Sequence, residues 1–202
     1  MKRKGMLVII SGPSGSGKGT IVKKLNRDDY ALSISMTTRS PRPNELDGKD
    51  YFFTTKEHFI KLRQEGQLLE HAEFVGNMYG TPKKYVEDQI AIGKAVILEI
   101  DVVGALQIKE KFEDSILIFL MPPSFKELAN RLVGRQTEDM LTIEKRIKRA
   151  KNEVLHINKY DYFLINDDVD IAVNSINAII DSEYLKPHRN IDKIMAFNKG
   201  DD

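Results

Sequence analysis

The sequence predicts an α/β fold in which helices cover both faces of a parallel central sheet. Four short apolar runs, rich in β-branched residues and without polar alternation, are typical of strands buried on both faces. They are Met6 to Ile10, Ala95 to Ile100, Ser115 to Met121 and Tyr162 to Ile165. Patterns of helical period lie between and after these runs, and strands that alternate with helices form parallel sheets. A glycine-rich segment follows the first strand directly.

The composition excludes several classes of protein. The chain has 202 residues, 41% hydrophobic and 30% charged, which suits one domain with a buried core and excludes bulk disorder. Its net charge of +1 is unlike that of a dedicated nucleic-acid-binding protein. No apolar run approaches the ~20 residues of a membrane-spanning helix, and there is no cysteine for disulfide or thiolate chemistry. We expect a cytoplasmic protein, monomeric or homo-oligomeric, that binds neither nucleic acid nor membranes.

Five helical patterns complete the predicted core. Ser124 and Glu127 have the spacing of a capping box, so a helix is expected to start there. The last helix ends before Pro187, which cannot continue it. The five patterns begin near Lys18, cover Val102 to Phe112, begin at Ser124, and cover Ile143 to Ile157 and Val169 to Leu185.

Residues 32–81 interrupt this alternation and predict an inserted mixed α+β region. Strands are expected over Leu32 to Thr37, Tyr51 to Thr54 and Gln67 to Val75, with a helix over Thr55 to Gln64. Thr81 and Pro82 resemble the N-cap and first residue of a further helix that ends near Gly93. The predicted division is therefore a core of residues 1–31 and 82–185, an insertion of 32–81, and a polar, loosely ordered tail of 186–202.

A glycine-rich loop after the first strand has the pattern of a phosphate-binding loop. Its glycines allow backbone N–H groups to point at phosphate oxygens, the following helix adds a favourable dipole, and Lys18 adds a cation. A glycine-rich turn that matches by chance is the alternative, but the strand before the loop and the helix after it disfavour that interpretation. The predicted nucleotide-binding residues are Gly12, Pro13, Ser14, Gly15, Ser16, Gly17, Lys18, Gly19 and Thr20.

The loop departs from the common motif at Gly19, where Ser or Thr normally contacts Mg²⁺. The ending Gly-Lys-Gly-Thr resembles that of the nucleoside monophosphate kinases, in which phosphates and water hold most of the metal's coordination sites. This fits the tendency of Mg²⁺ to keep several waters. We therefore expect Mg²⁺ as cofactor with ATP and assign no protein ligand to it.

A second cluster of polar residues lies in the insertion. Arg39 and Arg42, three residues apart across a proline, could fork onto one phosphate, and Tyr51 could add a hydroxyl. A solvated surface turn would explain the two arginines alone equally well.

The longer string of motifs resembles the guanylate kinase family over about Gly5 to Leu185, in the order that the family has. The motifs are Ser35-Met36-Thr37-Thr38-Arg39-Ser40-Pro41-Arg42, Leu69-Glu70-His71-Ala72-Glu73, Gly76-Asn77-Met78-Tyr79-Gly80-Thr81, Leu98-Glu99-Ile100-Asp101, Pro122-Pro123-Ser124, Arg131-Leu132-Val133-Gly134-Arg135 and Ile165-Asn166-Asp167-Asp168.

The resemblance implies a three-layer P-loop fold whose insertion binds GMP. It places Arg39, Arg42, Tyr51 and Tyr79 on the GMP phosphate, and Glu70 on the guanine base. A carboxylate can accept both N1–H and N2–H₂ of guanine, whereas adenine presents a lone pair at N1. Without the resemblance, the alternating pattern of the strand would favour the interpretation that Glu70 is an outward-facing residue. The same resemblance expects three further residues around the base: Ser35, Thr81 and Asp101.

The resemblance also implies a short lid, at about residues 131–146, that closes over ATP. Its arginines would neutralise charge on the transferred phosphoryl group. They are Arg131, Arg135 and Arg146. The alternative is a solvated basic helix surface, which we accept for Lys145, Lys148 and Lys151. Asn166 is expected to contact ATP on its adenine side.

The expected activity is therefore that of a guanylate kinase, which converts MgATP and GMP to ADP and GDP. Glu99 stands where many members have Asp, so its partner stays open. Two other functions remain as alternatives. One is a guanylate-kinase-like module that binds protein partners without turnover, and the other is a related kinase with a sugar-phosphate acceptor.

Overall fold

A computed structural model describes residues 4–133 and 140–199, except for the side chains of residues 140–143 and 199. Short 3₁₀ helices lie at Ile157–Lys159 and Pro187–Asn190. In chain order the other elements are β1 (Met6–Ser11), α1 (Lys18–Lys24), β2 (Tyr30–Leu32), β3 (Met36–Thr37), β4 (Phe52–Phe53), α2 (Lys56–Gln64), β5 (Leu68–Phe74), β6 (Asn77–Pro82), α3 (Lys83–Ala91), β7 (Ala95–Glu99), α4 (Val102–Lys111), β8 (Ile116–Met121), α5 (Phe125–Val133), α6 (Met140–Val154), β9 (Tyr162–Ile165), α7 (Val169–Tyr184) and α8 (Ile191–Lys199).

The central sheet confirms the predicted α/β fold. Its five strands are parallel and lie in the order β2-β7-β1-β8-β9. In the middle strand, Val8 lies beside Ile97 of one neighbour and Ile116 of the other. Because the strands are parallel, the segments that follow β1 and β7 emerge at the same edge of the sheet, where ligands of open α/β sheets bind.

Two apolar clusters, one on each face of the sheet, explain the unbroken apolar runs of β1, β7 and β8. The expectation was wrong for β9, where Phe163 and Ile165 are exposed because this strand lies at the edge of the sheet. Val8 and Ile10 of β1 pack with α1 and α7 on one face, whereas Leu7 and Ile9 pack with α3 and α4 on the other. Successive strand residues point to opposite faces, so a strand covered on both faces has no polar alternation. Among the described residues, no helix is both long enough and apolar enough to cross a membrane.

A second, four-stranded sheet is built from residues 36–82, in the order β4-β3-β6-β5. It is mixed, because β3 and β4 are parallel while β6 runs antiparallel to both β3 and β5. Gly80 in β6 is closely packed: a Cβ there would lie 3.0 Å from the Glu70 carbonyl oxygen and 3.0 Å from the Phe59 ring, so a larger residue would force these neighbours to shift. This sheet stands beside the central sheet and carries the residues of the predicted insertion.

Three expectations about this region and the tail were wrong. The strand expected over Leu32 to Thr37 is two strands, because β2 pairs with the central sheet and β3 with the second sheet. Thr81 and Pro82 end strand β6 and provide no side-chain cap for α3. Residues 187–199 of the tail are helical, and Arg189 anchors them through a 2.8 Å hydrogen bond to Asp114.

Candidate active site

A cleft of about 640 Å³ opens where the carboxyl ends of β1 and β7 face the second sheet and α6. It brings together most of the residues that the sequence predicts for nucleotide binding. Those that line it are Gly12, Ser14, Gly15, Gly17, Lys18, Gly19, Thr20, Ser35, Arg39, Arg42, Tyr51, Glu70, Tyr79, Asp101 and Arg146. Residues that lie outside this lining include Pro13, Ser16, Thr81, Arg131 and Asn166.

The phosphate loop joins β1 to α1 in the conformation that its glycines allow. Gly12, Gly15 and Gly17 have φ values of 138°, 90° and 90°. At Gly12 a Cβ would lie 2.2 Å from the carbonyl oxygen of Leu120, so no larger residue fits. The Lys18 ammonium group donates to the carbonyl oxygens of Gly12, at 2.7 Å, and Pro13, at 3.1 Å. The lysine is thus held over the loop that it is predicted to serve.

Asn166 and Arg146 each form a hydrogen bond to this loop. The Asn166 amide is buried and donates to the Ser16 carbonyl oxygen at 2.8 Å. Arg146, only 9% exposed, donates to the Ser14 hydroxyl at 2.9 Å. Both residues therefore meet the loop in the folded protein. The adenine contact of Asn166 stays a prediction.

The arginines of the insertion occupy different environments. Arg39 donates to both carboxylate oxygens of Glu45 at 2.9 Å and lies over the Tyr51 ring at 5.4 Å. Burial opposes ionisation of Glu45, but the Arg42 backbone N–H and the Arg39 guanidinium outweigh it and lower the pKa of Glu45. The Arg42 side chain is 48% exposed. Glu45 thus orients Arg39 towards the cleft, whereas Arg42 remains at its rim.

Two tyrosines and a serine extend this part of the cleft. The Tyr51 and Tyr79 rings meet edge to face, with their centroids 6.2 Å apart. Burial raises the pKa of Tyr51, so its hydroxyl stays protonated and able to donate to an anion. Ser35 lies in the same lining, between β2 and β3.

Glu70 is a buried carboxyl group at the far end of the cleft. It is 3% exposed, and its Oε1 accepts a 2.7 Å hydrogen bond from the Thr81 hydroxyl. Burial raises the pKa of Glu70 to about 7, although the hydrogen bond from Thr81 works in the other direction. Thr81 therefore lies behind Glu70 and reaches the far end of the cleft only through it. A buried carboxylate with one oxygen so oriented is suited to accept N–H donors from a flat ring.

Glu99 is the last residue of β7, and Asp101 follows two positions later. Asp101 caps α4, because its Oδ1 accepts from the Gly104 N–H at 2.9 Å, while its other oxygen accepts from Arg149. Glu99 reaches the phosphate loop: a Cβ on Gly19 would lie 3.4 Å from its Oε2. The two acidic groups thus serve different ends of the cleft, with Asp101 beside Glu70 and Glu99 beside the loop.

The predicted lid arginines do not all lie within the described residues. Arg131 on α5 bonds Glu127 at 2.7 Å, and its guanidinium would lie 3.9 Å from a Cβ on Gly17. Arg135 lies outside the described residues, as do the other residues of the predicted lid from 134 to 139. Arg146 contacts the phosphate loop, as described above.

Among the residues that line the cleft and that sequence reasoning missed are Phe74, Arg149 and Glu153. A signal for two of them existed, because Arg146, Arg149 and Glu153 are spaced at i, i+3 and i+7 and share one face of α6. The basic run around them concealed this spacing. Phe74 ends β5 and carried no comparable signal.

Comparison with known proteins shows the family of the chain. The Guanylate kinase family model matches residues 4–183. The chain is 52% identical over 191 residues to a guanylate kinase of Oceanobacillus iheyensis, with 94% of this chain and 93% of that protein covered. It is 46% identical to a Lactococcus lactis guanylate kinase, with 96% and 95% covered. The crystal structure of guanylate kinase from Anaplasma phagocytophilum matches with a TM-score of 0.81 at 34% identity, covering 96% and 95% of the two chains. The chain therefore belongs to the guanylate kinase family.

Proposed function

We propose that this protein is a kinase that transfers the γ-phosphoryl group of ATP to GMP and releases ADP and GDP. The observation that carries the proposal is that one cleft joins the phosphate loop with Lys18 to a buried carboxyl group, Glu70, that faces a second binding region. The first feature suits a nucleoside triphosphate and the second suits the N–H edge of guanine.

At the donor end, the loop N–H groups and Lys18 hold the ATP phosphates. Arg146 already lies against Ser14 of the loop, so its guanidinium is placed to neutralise charge that develops during transfer. Arg131 and Arg135 are proposed to join it from the lid. Asn166 supports the loop and is proposed to reach the adenine side of ATP.

At the acceptor end, Arg39, Arg42, Tyr51 and Tyr79 hold the GMP phosphate, and Glu70, Ser35, Thr81 and Asp101 surround the base. The acceptor oxygen of GMP is already anionic, so the transfer requires no strong general base. Catalysis then consists of alignment and charge neutralisation, with water excluded when the cleft closes.

Mg²⁺ is proposed to enter with ATP, whose phosphates it would polarise. Glu99, the carboxylate next to Gly19, is the group that would hold a metal-bound water.

The test is ADP release from MgATP when GMP, dGMP, AMP, CMP and UMP are offered separately. ADP that forms only with guanine nucleotides is the expected result. Equal ADP with every base would contradict the role of Glu70. No acceptor-dependent ADP from folded protein would favour the protein-binding module or the kinase with a sugar-phosphate acceptor, and ADP formed with sugar phosphates would then separate these two.

A further inference from the structure

Arg149 of α6 connects three segments of the chain inside the cleft. Its guanidinium donates to Asp101, which follows β7, and to Glu153 one turn further along α6, at 2.7 Å. The guanidinium also lies over the ring of Phe74, 4.5 Å from the ring centroid. Phe74 ends β5, the strand that carries Glu70. A single side chain therefore joins the lid-side helix, the second sheet and the base end of the cleft.

The geometry restricts how Asp101 can be placed. One carboxylate oxygen is taken by the Gly104 N–H at the start of α4, and the other is taken by Arg149. Stacking on the Phe74 ring restricts the orientation of the Arg149 guanidinium, so its N–H groups point towards Asp101 in a fixed direction. A carboxylate has about four acceptor positions, so Asp101 can still accept a further N–H.

Asp101 and Glu70 are close neighbours. A Cβ on Gly104 would lie 2.5 Å from a Glu70 carboxylate oxygen and 3.5 Å from Oδ1 of Asp101. The repulsion between two adjacent carboxylates would drive Asp101 away from Glu70 unless a cation holds it. Arg149 is the cation that contacts Asp101 here. It lies on α6, 48 residues further along the chain than Asp101.

We propose that Arg149 is a positioning residue for acceptor recognition, which holds Asp101 beside Glu70 so that the two carboxylates together accept the N1–H and the 2-amino group of a guanine base. This rests on the proposed function. Glu70 then accepts from N1–H and N2, while Asp101 accepts from the second hydrogen of the 2-amino group. Hypoxanthine lacks that amino group and leaves Asp101 without its donor, so Arg149 governs the preference for GMP over IMP.

The test compares kcat/KM for GMP and IMP in the wild type, Arg149→Gln, Arg149→Lys and Lys148→Ala. Lys148 is the matched control, because it is an exposed cation one position earlier on the same helix. We expect the GMP/IMP ratio to fall about tenfold in Arg149→Gln, mainly through the KM for GMP, since a site with an unmatched polar group loses discrimination of this order. The KM for ATP and the ratio in Lys148→Ala should stay within about twofold of the wild type.

Arg149→Lys separates this role from a structural one. Lysine keeps a positive charge for the buried carboxylate of Glu153, but it cannot fork onto two carboxylates. The thermal midpoint should therefore stay near that of the wild type while the GMP/IMP ratio still falls. Loss of stability with an unchanged ratio would overturn the proposal and leave Arg149 a structural residue.

A double variant shows whether Arg149 acts through Asp101. Asn is also a good N-cap, so Asp101→Asn should keep α4 in place. In the Asp101→Asn background, Arg149→Gln should cause no further fall in the GMP/IMP ratio. Additive losses would mean that Arg149 acts by another route. A wild type that does not phosphorylate GMP overturns the proposed function and this proposal together, whereas an active wild type with an unchanged ratio in every Arg149 variant overturns this proposal alone.

Discussion

The hydroxyl of Thr81 donates a 2.7 Å hydrogen bond to Oε1 of the buried Glu70, across the pair of strands β5 and β6. The bond fixes one carboxylate oxygen and leaves the other, Oε2, on the side of Gly104 and Asp101. A carboxyl group that is buried and oriented in this way ionises more readily when a ligand supplies N–H donors to it.

GMP binding should depend on pH through Glu70. Burial raises the pKa of this group to about 7, so it is protonated below that pH and cannot accept both N–H groups. The affinity for GMP should therefore rise by up to about tenfold per pH unit as the pH is raised towards 7, and stay constant above it. Calorimetric titrations from pH 5.5 to 8.5 would measure this. Glu70→Gln serves as the control, because the GMP phosphate also titrates near pH 6; parallel profiles for the two proteins would contradict the assignment.

Glu70→Gln should also lose selectivity between bases. An amide presents one acceptor and one donor where guanine needs two acceptors, so the guanine edge is no longer matched. We expect the ratio of kcat/KM for GMP over AMP to fall by about 100-fold or more, since sites built on such hydrogen bonds discriminate by about 10⁴ to 10⁵. Turnover assays with both nucleotides provide the measurement, and an unchanged ratio would remove Glu70 from base recognition.

Lys18→Ala and Arg39→Ala should each remove most turnover while the fold survives. The first change deletes the cation over the phosphate loop, and the second deletes the guanidinium that Glu45 orients into the cleft. A loss of about 100-fold or more in kcat/KM is expected from the removal of a group that stabilises phosphoryl charge. Steady-state assays and circular dichroism would be run beside Lys56→Ala, an exposed lysine at the start of α2. Near-normal turnover in either folded variant would refute its role.

Gly17→Ala should damage ATP binding more than an equivalent change elsewhere. Gly17 has a φ of 90°, and a Cβ there would lie 2.2 Å from the Asn166 amide nitrogen that braces the loop. Gly76→Ala is the matched control, since Gly76 has a φ of 71° and nothing lies within 4 Å of its Cβ position. Both variants carry a backbone strain of about 1 kcal/mol, but only Gly17→Ala should raise the Kd for ATP, by tenfold or more. Equal Kd values for ATP in the two variants would show that the Asn166 side chain moves aside without weakening ATP binding.

Asp168→Ala should destabilise the protein without affecting catalysis directly. The Asp168 carboxylate caps α7 by accepting from the N–H groups of Asp170, at 2.8 Å, and Ile171, at 3.0 Å. Loss of such a cap lowers the free energy of unfolding by about 1 kcal/mol. Urea denaturation of Asp168→Ala and of the neighbouring Asp167→Ala would test this; a similar loss in both variants would show that charge, and not the cap, is responsible.

Local sequence patterns were sufficient where the structure is determined by local chemistry. The apolar runs of β1, β7 and β8 are buried on both faces as expected, because a strand between two layers needs apolar residues at every position. The Ser124 hydroxyl caps α5 at the Glu127 N–H, as the capping-box spacing predicts. The phosphate loop could also be predicted from the sequence, since its glycines and Lys18 lie within nine consecutive residues. The assigned roles of the site residues stay predictions.

The sequence by itself therefore determined the three-layer α/β core, the phosphate loop and the family, because periodic patterns and contiguous motifs involve residues that are close together along the chain. Only the tertiary structure decided which strands pair, and hence that β2 and β3 belong to different sheets and that Thr81 lies in a strand behind Glu70. It alone brought Arg149, Phe74 and Asp101 together. The physical reason is that such contacts join residues tens of positions apart, and their partners are selected by the packing of whole layers, which no local pattern records.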